Sequence, residues 1–263
     1  MGTENDKKRI VGEKIDIDYS RVREFFETRG AGSNYGSKYN YVLFQDSNPE
    51  LAEARDMQEK SKISGLLHLD SIAAVSKNTC GGGGHRVLDI GCGIGRWGEY
   101  LLNAGYYYVG IDGSTNLIKR AQENLSSFTH KKLLTGYFQN LKEILASANE
   151  TYFDYVFVNG VFMYLNDADY AKALADILDV CEKHAVIYSK ESVARQERLT
   201  LDNIHSEELR QDYSAIYRSI QDYRESQKEA WSASFRLIHE GYLFSEELQN
   251  RKETVNYYFI WER

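Results

Sequence analysis

The segment Val87-Leu-Asp-Ile-Gly-Cys-Gly-Ile-Gly-Arg-Trp-Gly98 carries four glycines at near-alternate positions. An apolar run suited to a strand precedes them, and a stretch suited to a helix follows. Glycine at such a turn permits positive φ and lets a ligand approach the backbone closely, and a helix start offers free N–H groups. Gly93, Gly95 and Gly98 also match the dinucleotide pattern G-x-G-x-x-G, with Asp112 about 20 residues after Gly93. Asp89 separates that reading from another. A dinucleotide turn must accept a pyrophosphate, which an anion two residues before the first glycine repels. The same carboxylate suits a ligand with a cationic end. A glycine turn with no ligand is the third alternative.

Leu88-Asp-Ile-Gly-Cys-Gly-Ile-Gly95 resembles the first motif of the class I S-adenosylmethionine-dependent methyltransferases. Val109-Gly-Ile-Asp-Gly-Ser114 resembles the end of their second strand, and Phe153-Asp-Tyr-Val-Phe-Val-Asn-Gly-Val161 their fourth strand and the loop that faces the methyl group. The resemblance runs from about Val87 to Tyr188 and extends to the C-terminal strand pair. It implies an α/β, Rossmann-like sheet of seven strands, mostly parallel, with one antiparallel strand near an edge. The implied cofactor is S-adenosylmethionine, with S-adenosylhomocysteine as product.

In that frame Asp89 takes the zwitterionic end of the cofactor, directly or through water, with Gly91, Cys92, Gly93, Gly95 and Trp97 around it. Asp112, Gly113 and Ser114 take the ribose, since one carboxylate can accept from both hydroxyls. Asn159, Gly160 and Val161 face the methyl group. The third strand departs from the family pattern, which has an acidic residue followed by an apolar one near the adenine. Here the sequence reads Tyr137-Phe-Gln-Asn140. Phe138 can stack on adenine while Gln139 or Asn140 bonds its edge, or Phe138 can be a core residue.

Methyl transfer from a sulfonium needs alignment of nucleophile, methyl and sulfur in a dry site, and a base if the acceptor is a hydroxyl. Such groups belong at the carboxyl ends of the strands. Tyr164, after the fourth strand of this domain, can reach an acceptor or pack a helix. Ser189-Lys-Glu-Ser192 follows the next strand. There Lys190 and Glu191 are read as a surface pair rather than as catalytic groups. His205 is the general-base candidate, because imidazole titrates near neutrality, against the ordinary reading of a structural histidine. His68, His85, His130 and His239 look peripheral, and His184 precedes a strand. Arg218 and Arg224 either meet an anionic acceptor or belong to a solvated face. No metal-ligand cluster is visible, and independence of metal is expected.

Elements that position these groups follow from pattern and punctuation. The polar start, residues 1–15, reads as frayed. A short helix spans Tyr19–Arg29, a Gly/Ser-rich loop Gly30–Lys38. Ser47 or Asn48 can cap a helix from Pro49, the only proline, to about Ile63. A second helix is expected over Gly65–Val75, and Gly81–Gly84 reads as a hinge. Beyond it strands alternate with helices, which implies crossover connections and a parallel sheet. The strands are Val87–Ile90, Tyr106–Ile111, Lys132–Phe138, Tyr155–Val158 and Ala185–Tyr188. The helices are Arg96–Ala104, Ser114–Leu125, Leu141–Ala148 and Asp167–Glu182. A polar, tyrosine-rich helical stretch is expected over Leu201–Ile238. Tyr242–Phe244 and Tyr257–Trp261 then close the sheet as an antiparallel hairpin. The division is an N-terminal helical cap over 1–84 and a methyltransferase domain over 85–263, with a helical insertion at about 193–240. From the cap, Tyr35, Tyr39 and Tyr41 are candidates to shape the acceptor pocket.

The chain has 263 residues, 42% hydrophobic and 27% charged, with a net charge of −7. That composition is ordinary for a globular protein with a substantial core, and 20 tyrosines suit a partly wet cavity. Lys7-Lys-Arg9 and Lys131-Lys132 are short runs, not the basic stripe of a nucleic-acid binder. Cys80, Cys92 and Cys181 show no C-x-x-C pairing, which fits a reducing cytoplasm. Met1 to Ile17 lacks the apolar core of a signal peptide, Asp6 breaks the myristoylation pattern after Gly2, and no stretch approaches a membrane span. The expectation is methyl transfer to oxygen or nitrogen of a small polar metabolite, by a cytoplasmic monomer or homodimer that binds neither nucleic acid nor membrane. Natural-product or surface-glycan biosynthesis is the setting in which similar enzymes occur. Methylation of a protein side chain, an acidic surface attracting a basic partner, and cofactor binding without catalysis remain open.

Overall fold

The computed structural model describes residues 7–31, 49–69, 84–206, 211–249 and 251–263. Its main sheet is built from β2 (Arg86–Ile90), β3 (Tyr107–Asp112), β4 (Lys131–Thr135), β5 (Phe153–Asn159), β6 (Cys181–Ala194), β9 (Arg236–Tyr242) and β10 (Thr254–Glu262). The spatial order is β4-β3-β2-β5-β6-β10-β9. β2 to β6 run parallel, and β10 is antiparallel to both neighbours. This is the expected seven-stranded sheet with its one antiparallel strand next to an edge.

Central strands are apolar on both faces because helices cover both. Leu88, Ile90, Val156 and Val158 bury one face against α5 (Leu141–Ser147), α6 (Asp167–Asp179) and α7 (Ile220–Trp231). Val87, Tyr155 and Phe157 bury the other against α2 (Pro49–Leu67), α3 (Arg96–Asn103) and α4 (Thr115–Asn124). Each fully buried large apolar side chain on these faces, such as Trp97 or Phe157, contributes about 1.5–3 kcal/mol of burial. α1 (Tyr19–Ala31) lies across α4, where Gly30 lets the backbones approach. A β-carbon at Gly30 would meet Asn116 Cβ at 2.8 Å.

Several expectations are corrected. The N-terminal start is not frayed from residue 8 onward. β1 (Lys8–Val11) pairs antiparallel with β7 (Leu199–Ser206), which pairs with β8 (Gln211–Tyr217) in a second, three-stranded sheet. The stretch read as a helical insertion is therefore largely β, with α7 as its helix. Tyr213 and Tyr217 misled because a spacing of four is also two strand periods. Tyr213, Ala215 and Tyr217 are all buried. Ser219 then ends the strand run with a capping box to Asp222 and starts α7. α2 continues unbroken through Gly65, where a β-carbon would meet nothing within 4 Å, and Ala52, Asp56, Glu59, Ile63 and Leu67 keep one buried stripe. β6 runs six residues past Tyr188, held by β10 from Val186 to Ala194. Lys190 and Glu191 therefore lie inside a strand, both buried, and not at the surface. Tyr35, Tyr39, Tyr41, Ser47, Asn48, Cys80, Gly81–Gly83 and the end of the second expected helix lie outside the described residues.

Candidate functional site

A cavity of about 230 Å³ opens over the carboxyl ends of β2, β3, β5 and β6. The chain leaves β2 toward β3 on one side and returns to β5 on the other, and such switch points leave a crevice above the sheet. The glycine turn forms its floor. Gly91, Gly93 and Gly95 have φ of 73°, 54° and 82°. Gly91 and Cys92 N–H donate to Ile111 O at 2.8 and 3.0 Å, which locks the turn to β3. Val161 packs on Gly91 so closely that a β-carbon there would lie 2.2 Å from a valine methyl.

Two carboxylates flank the turn. Tyr108 hydroxyl donates to Asp89 Oδ2 at 2.7 Å, and Asp89 Oδ1 has no hydrogen-bond partner. Asp112 accepts from Gly93 N–H and Ser114 N–H, each at 2.9 Å. Burial pushes both carboxyls up, to about 6 in each case. Both remain mostly ionised at neutral pH, and Asp89 keeps an oxygen for a cationic group. Ser114 caps α4, its hydroxyl accepting from Leu117 N–H at 3.2 Å and donating to Glu27 of α1. That bond fastens α1 over the cavity, where Tyr19, Val22, Arg23 and Phe26 form one wall.

Of the residues singled out in the sequence, Asp89, Gly91, Cys92, Gly93, Trp97, Asp112, Gly113, Ser114, Phe138, Gln139, Asn159, Gly160, Val161 and Tyr164 line this one cavity. Cys92 is buried, and burial drives its thiol up, so it is a wall and not a nucleophile. Phe138 is both lining and core, stacked on Phe162 at 5.9 Å with 21° between the rings. Both side-chain polar atoms of Asn159 are buried without a partner.

Five of the singled-out residues that the structure describes, Gly95, Asn140, His205, Arg218 and Arg224, do not line the cavity. Gly95 starts α3 and packs toward Leu125, whose methyl would lie 2.8 Å from an added β-carbon. Asn140 is exposed at the start of α5. His205 lies on β7 in the second sheet, half exposed, with Nδ1 3.2 Å from Asp212 Oδ1. It lines a separate recess with Tyr213, Tyr217 and Arg251. The structure does not bring His205, the general-base candidate, into this cavity; it is a surface partner of Asp212. Arg218 is turned inward, its guanidinium donating to Phe162 O, Leu165 O and Asp167 at 2.9, 2.8 and 2.6 Å. Arg224 pairs with Glu240 at 3.0 Å. Neither lines the cavity.

The cavity also holds groups that sequence reasoning missed. Arg96 lines it and donates to Asp56 and Glu59 of α2 at 2.7 and 2.9 Å. Burial alone would push Glu59 up, but Arg96 and Lys190 hold it below its ordinary value. Tyr137 lies against Gly113, where a β-carbon would be 2.6 Å from the ring, with the Arg23 guanidinium 4.3 Å from the ring centre. At the far end Lys190, Ser192 and Asn256 form a polar wall from β6 and β10. Only the β6–β10 register brings Asn256 opposite Ser192, a pairing across 64 residues of sequence.

Parallel order with this switch point puts a glycine turn and two carboxylates at the mouth of one cavity in an α/β domain. A family model described as a methyltransferase domain matches residues 87–184. The match covers less than half of the chain, from the glycine turn to the start of β6, so this segment is similar to a methyltransferase domain. Phosphoethanolamine N-methyltransferase 1 of Triticum aestivum is 23% identical over 198 residues, 74% of this chain and 37% of that protein. A 23S rRNA uracil-C5 methyltransferase of Nitrosococcus oceani is 45% identical over 56 residues, 21% of this chain and 12% of that one. The chain thus spans well under half of either relative. Among solved structures, Haemonchus contortus phosphoethanolamine N-methyltransferase 1, in complex with phosphoethanolamine and S-adenosylhomocysteine, superposes with a TM-score of 0.61 at 16% identity, covering 94% of this chain and 50% of that one. No helix among the described residues is long and apolar enough to cross a membrane.

Proposed function

We propose that this chain binds S-adenosylmethionine in the cavity and transfers its methyl group to oxygen or nitrogen of a small polar molecule. One observation carries the reading: Asp89, with an unpartnered oxygen, and Asp112 flank the glycine turn in the same cavity. Asp89 takes the ammonium of the cofactor and Asp112 its ribose hydroxyls. Phe138 and Gln139 attend the adenine, and Asn159, Gly160 and Val161 the methyl group. Of the N-terminal portion, α1 acts as the cap over the cavity, while α2 packs under the sheet. The acceptor occupies the end walled by Tyr164, Lys190, Ser192 and Asn256. The named substrate of the two phosphoethanolamine methyltransferases supports a small amine. Cys92 and Cys181 are free thiols in the core, which supports a cytoplasmic setting.

Calorimetric titration with S-adenosylmethionine, S-adenosylhomocysteine and NAD tests the cofactor. Binding of the two sulfur nucleosides and not NAD is expected, and binding of NAD alone would overturn the reading. Release of S-adenosylhomocysteine with a panel of small amines and alcohols, phosphoethanolamine included, tests the acceptor class. Binding without release on any panel member or on basic peptides would favour a non-catalytic role.

A further inference from the structure

Glu191 does not line the cavity, yet it shapes the turn that does. Its Oε1 accepts from Val161 N–H and Phe162 N–H, each at 3.0 Å, and its Oε2 from Met163 N–H at 3.2 Å. Arg218 grips the same turn from its other end, through Phe162 O and Leu165 O. The two charged side chains are buried. An anion thus sits on the N–H side of the turn and a cation on its carbonyl side, each matched to the peptide dipoles. Val161, Met163, Tyr164 and Leu165 of this turn are cavity wall, and Val161 also abuts Gly91.

We propose that Glu191 is a positioning residue for methyl transfer: its ionised carboxylate, opposed by Arg218, holds the Val161–Leu165 turn in the shape the acceptor meets. The proposal rests on the reading of the cavity as a methyl-transfer site. No hydrogen bond within the turn replaces what the carboxylate supplies to Val161 and Met163 N–H. A proton on Oε2 removes an acceptor from Met163. Burial pushes the Glu191 carboxyl up to about 7, against the pull of the three N–H groups and of Lys190. The groups that face it are Lys190 and, across the strands, Tyr257, then Tyr170 of α6, Tyr223 of α7, Tyr164 of the turn, and Arg218. Burial raises the tyrosines further from neutrality and Arg218 stays charged. Lys190 is loosened by burial, which is why a Glu191 variant is needed beside the pH profile.

Amide hydrogen exchange of the Val161–Met163 segment, corrected for intrinsic rates, is measured from about pH 6 to 8 on the full chain and on Glu191→Gln. In the unmodified protein, protection is expected to fall about tenfold or more as the pH drops through about 7. In Glu191→Gln it should be low at every pH, because an amide NH₂ faces Met163 N–H. Low protection of the segment at every pH in the unmodified protein overturns the proposal, whether or not the variant folds. So does a Glu191→Gln variant that keeps full protection at about pH 8. Calorimetry with S-adenosylhomocysteine on the same samples separates the two readings. Absent binding at every pH with the exchange profile as expected would sink the cofactor assignment and leave the clamp standing as a structural one.

Discussion

Tyr108 donates its hydroxyl to one oxygen of Asp89 at 2.7 Å and leaves the other oxygen without a partner in the cavity wall. The tyrosine orients the carboxylate, and the free oxygen is what a cationic ligand can meet. Asp89→Asn keeps the shape and removes the charge. It should weaken S-adenosylhomocysteine binding by about ten- to a hundredfold, the scale of one charge-assisted hydrogen bond. Tyr108→Phe should weaken it less, since it frees an oxygen without discharging it. Titration calorimetry checks both, and unchanged affinity in Asp89→Asn would remove Asp89 from the site.

Gly91 tolerates no side chain for two separate reasons. Its φ is 73° and its β-carbon position lies 2.2 Å from a Val161 methyl. Gly91→Ala should cost about 2 kcal/mol or more, from the left-handed backbone and the overlap together. Adding Val161→Ala should return the part due to overlap and none of the part due to φ. Chemical denaturation of the single and double variants separates the two.

Arg96 joins the glycine turn to α2 by two buried ion pairs, with Asp56 and Glu59. Arg96→Met removes the cation the two carboxylates share, leaving Asp56 with Lys60 and Glu59 with Tyr188 and Lys190, and should destabilise the fold by about 3 kcal/mol. Arg224→Ala, which breaks a half-exposed pair with Glu240, should stay within about 1 kcal/mol. Urea midpoints of the two variants check the contrast, and a mild effect at Arg96 would mean that water enters the cluster.

Stability and binding should depend on pH in opposite senses. The Asp89 and Asp112 carboxyls are pushed up from 3.8 to about 6, so the native state holds their protons more tightly than the unfolded chain. Their contribution is present below about pH 4 and is lost as pH rises through about 6. A bound ammonium favours the ionised Asp89, so the stabilisation that S-adenosylhomocysteine confers should grow over the same window. Asp167 acts with the opposite sign, because Arg218 and Arg198 hold it low against its burial. The comparison must therefore be between the unmodified protein and Asp89→Asn. Melting temperatures with and without ligand, at about pH 5 and 7.5, should show the ligand increment rising more in the unmodified protein than in Asp89→Asn, where Asp112 still titrates.

His205 is expected to be dispensable. It is half exposed and bonded to Asp212, so His205→Ala should change S-adenosylhomocysteine binding and turnover by no more than about twofold, the scale of an ordinary surface substitution. A large loss of turnover with binding intact would return it to consideration as a base.

The sequence determined the features written in consecutive residues. The glycine turn with Asp89 two positions before it, the carboxylate at Asp112 and the alternation of strands and helices are local signals, since each reflects a backbone conformation or a run of buried residues. They were enough for the parallel sheet and for most of the cavity near the turn. Tertiary structure decided what depends on pairing between distant segments. Four-residue spacing of Tyr213 and Tyr217 suits a helix face and a strand face alike, and only the pairing with β7 made it a strand. Lys190 and Glu191 look like an ordinary surface pair until β10 covers the strand that carries them and buries both. Asn256 reaches the acceptor end through the β6–β10 register, and Arg96 finds its partners on a helix some 40 residues earlier. In each case the deciding energy is burial and hydrogen bonding between elements far apart in sequence, which no local pattern records.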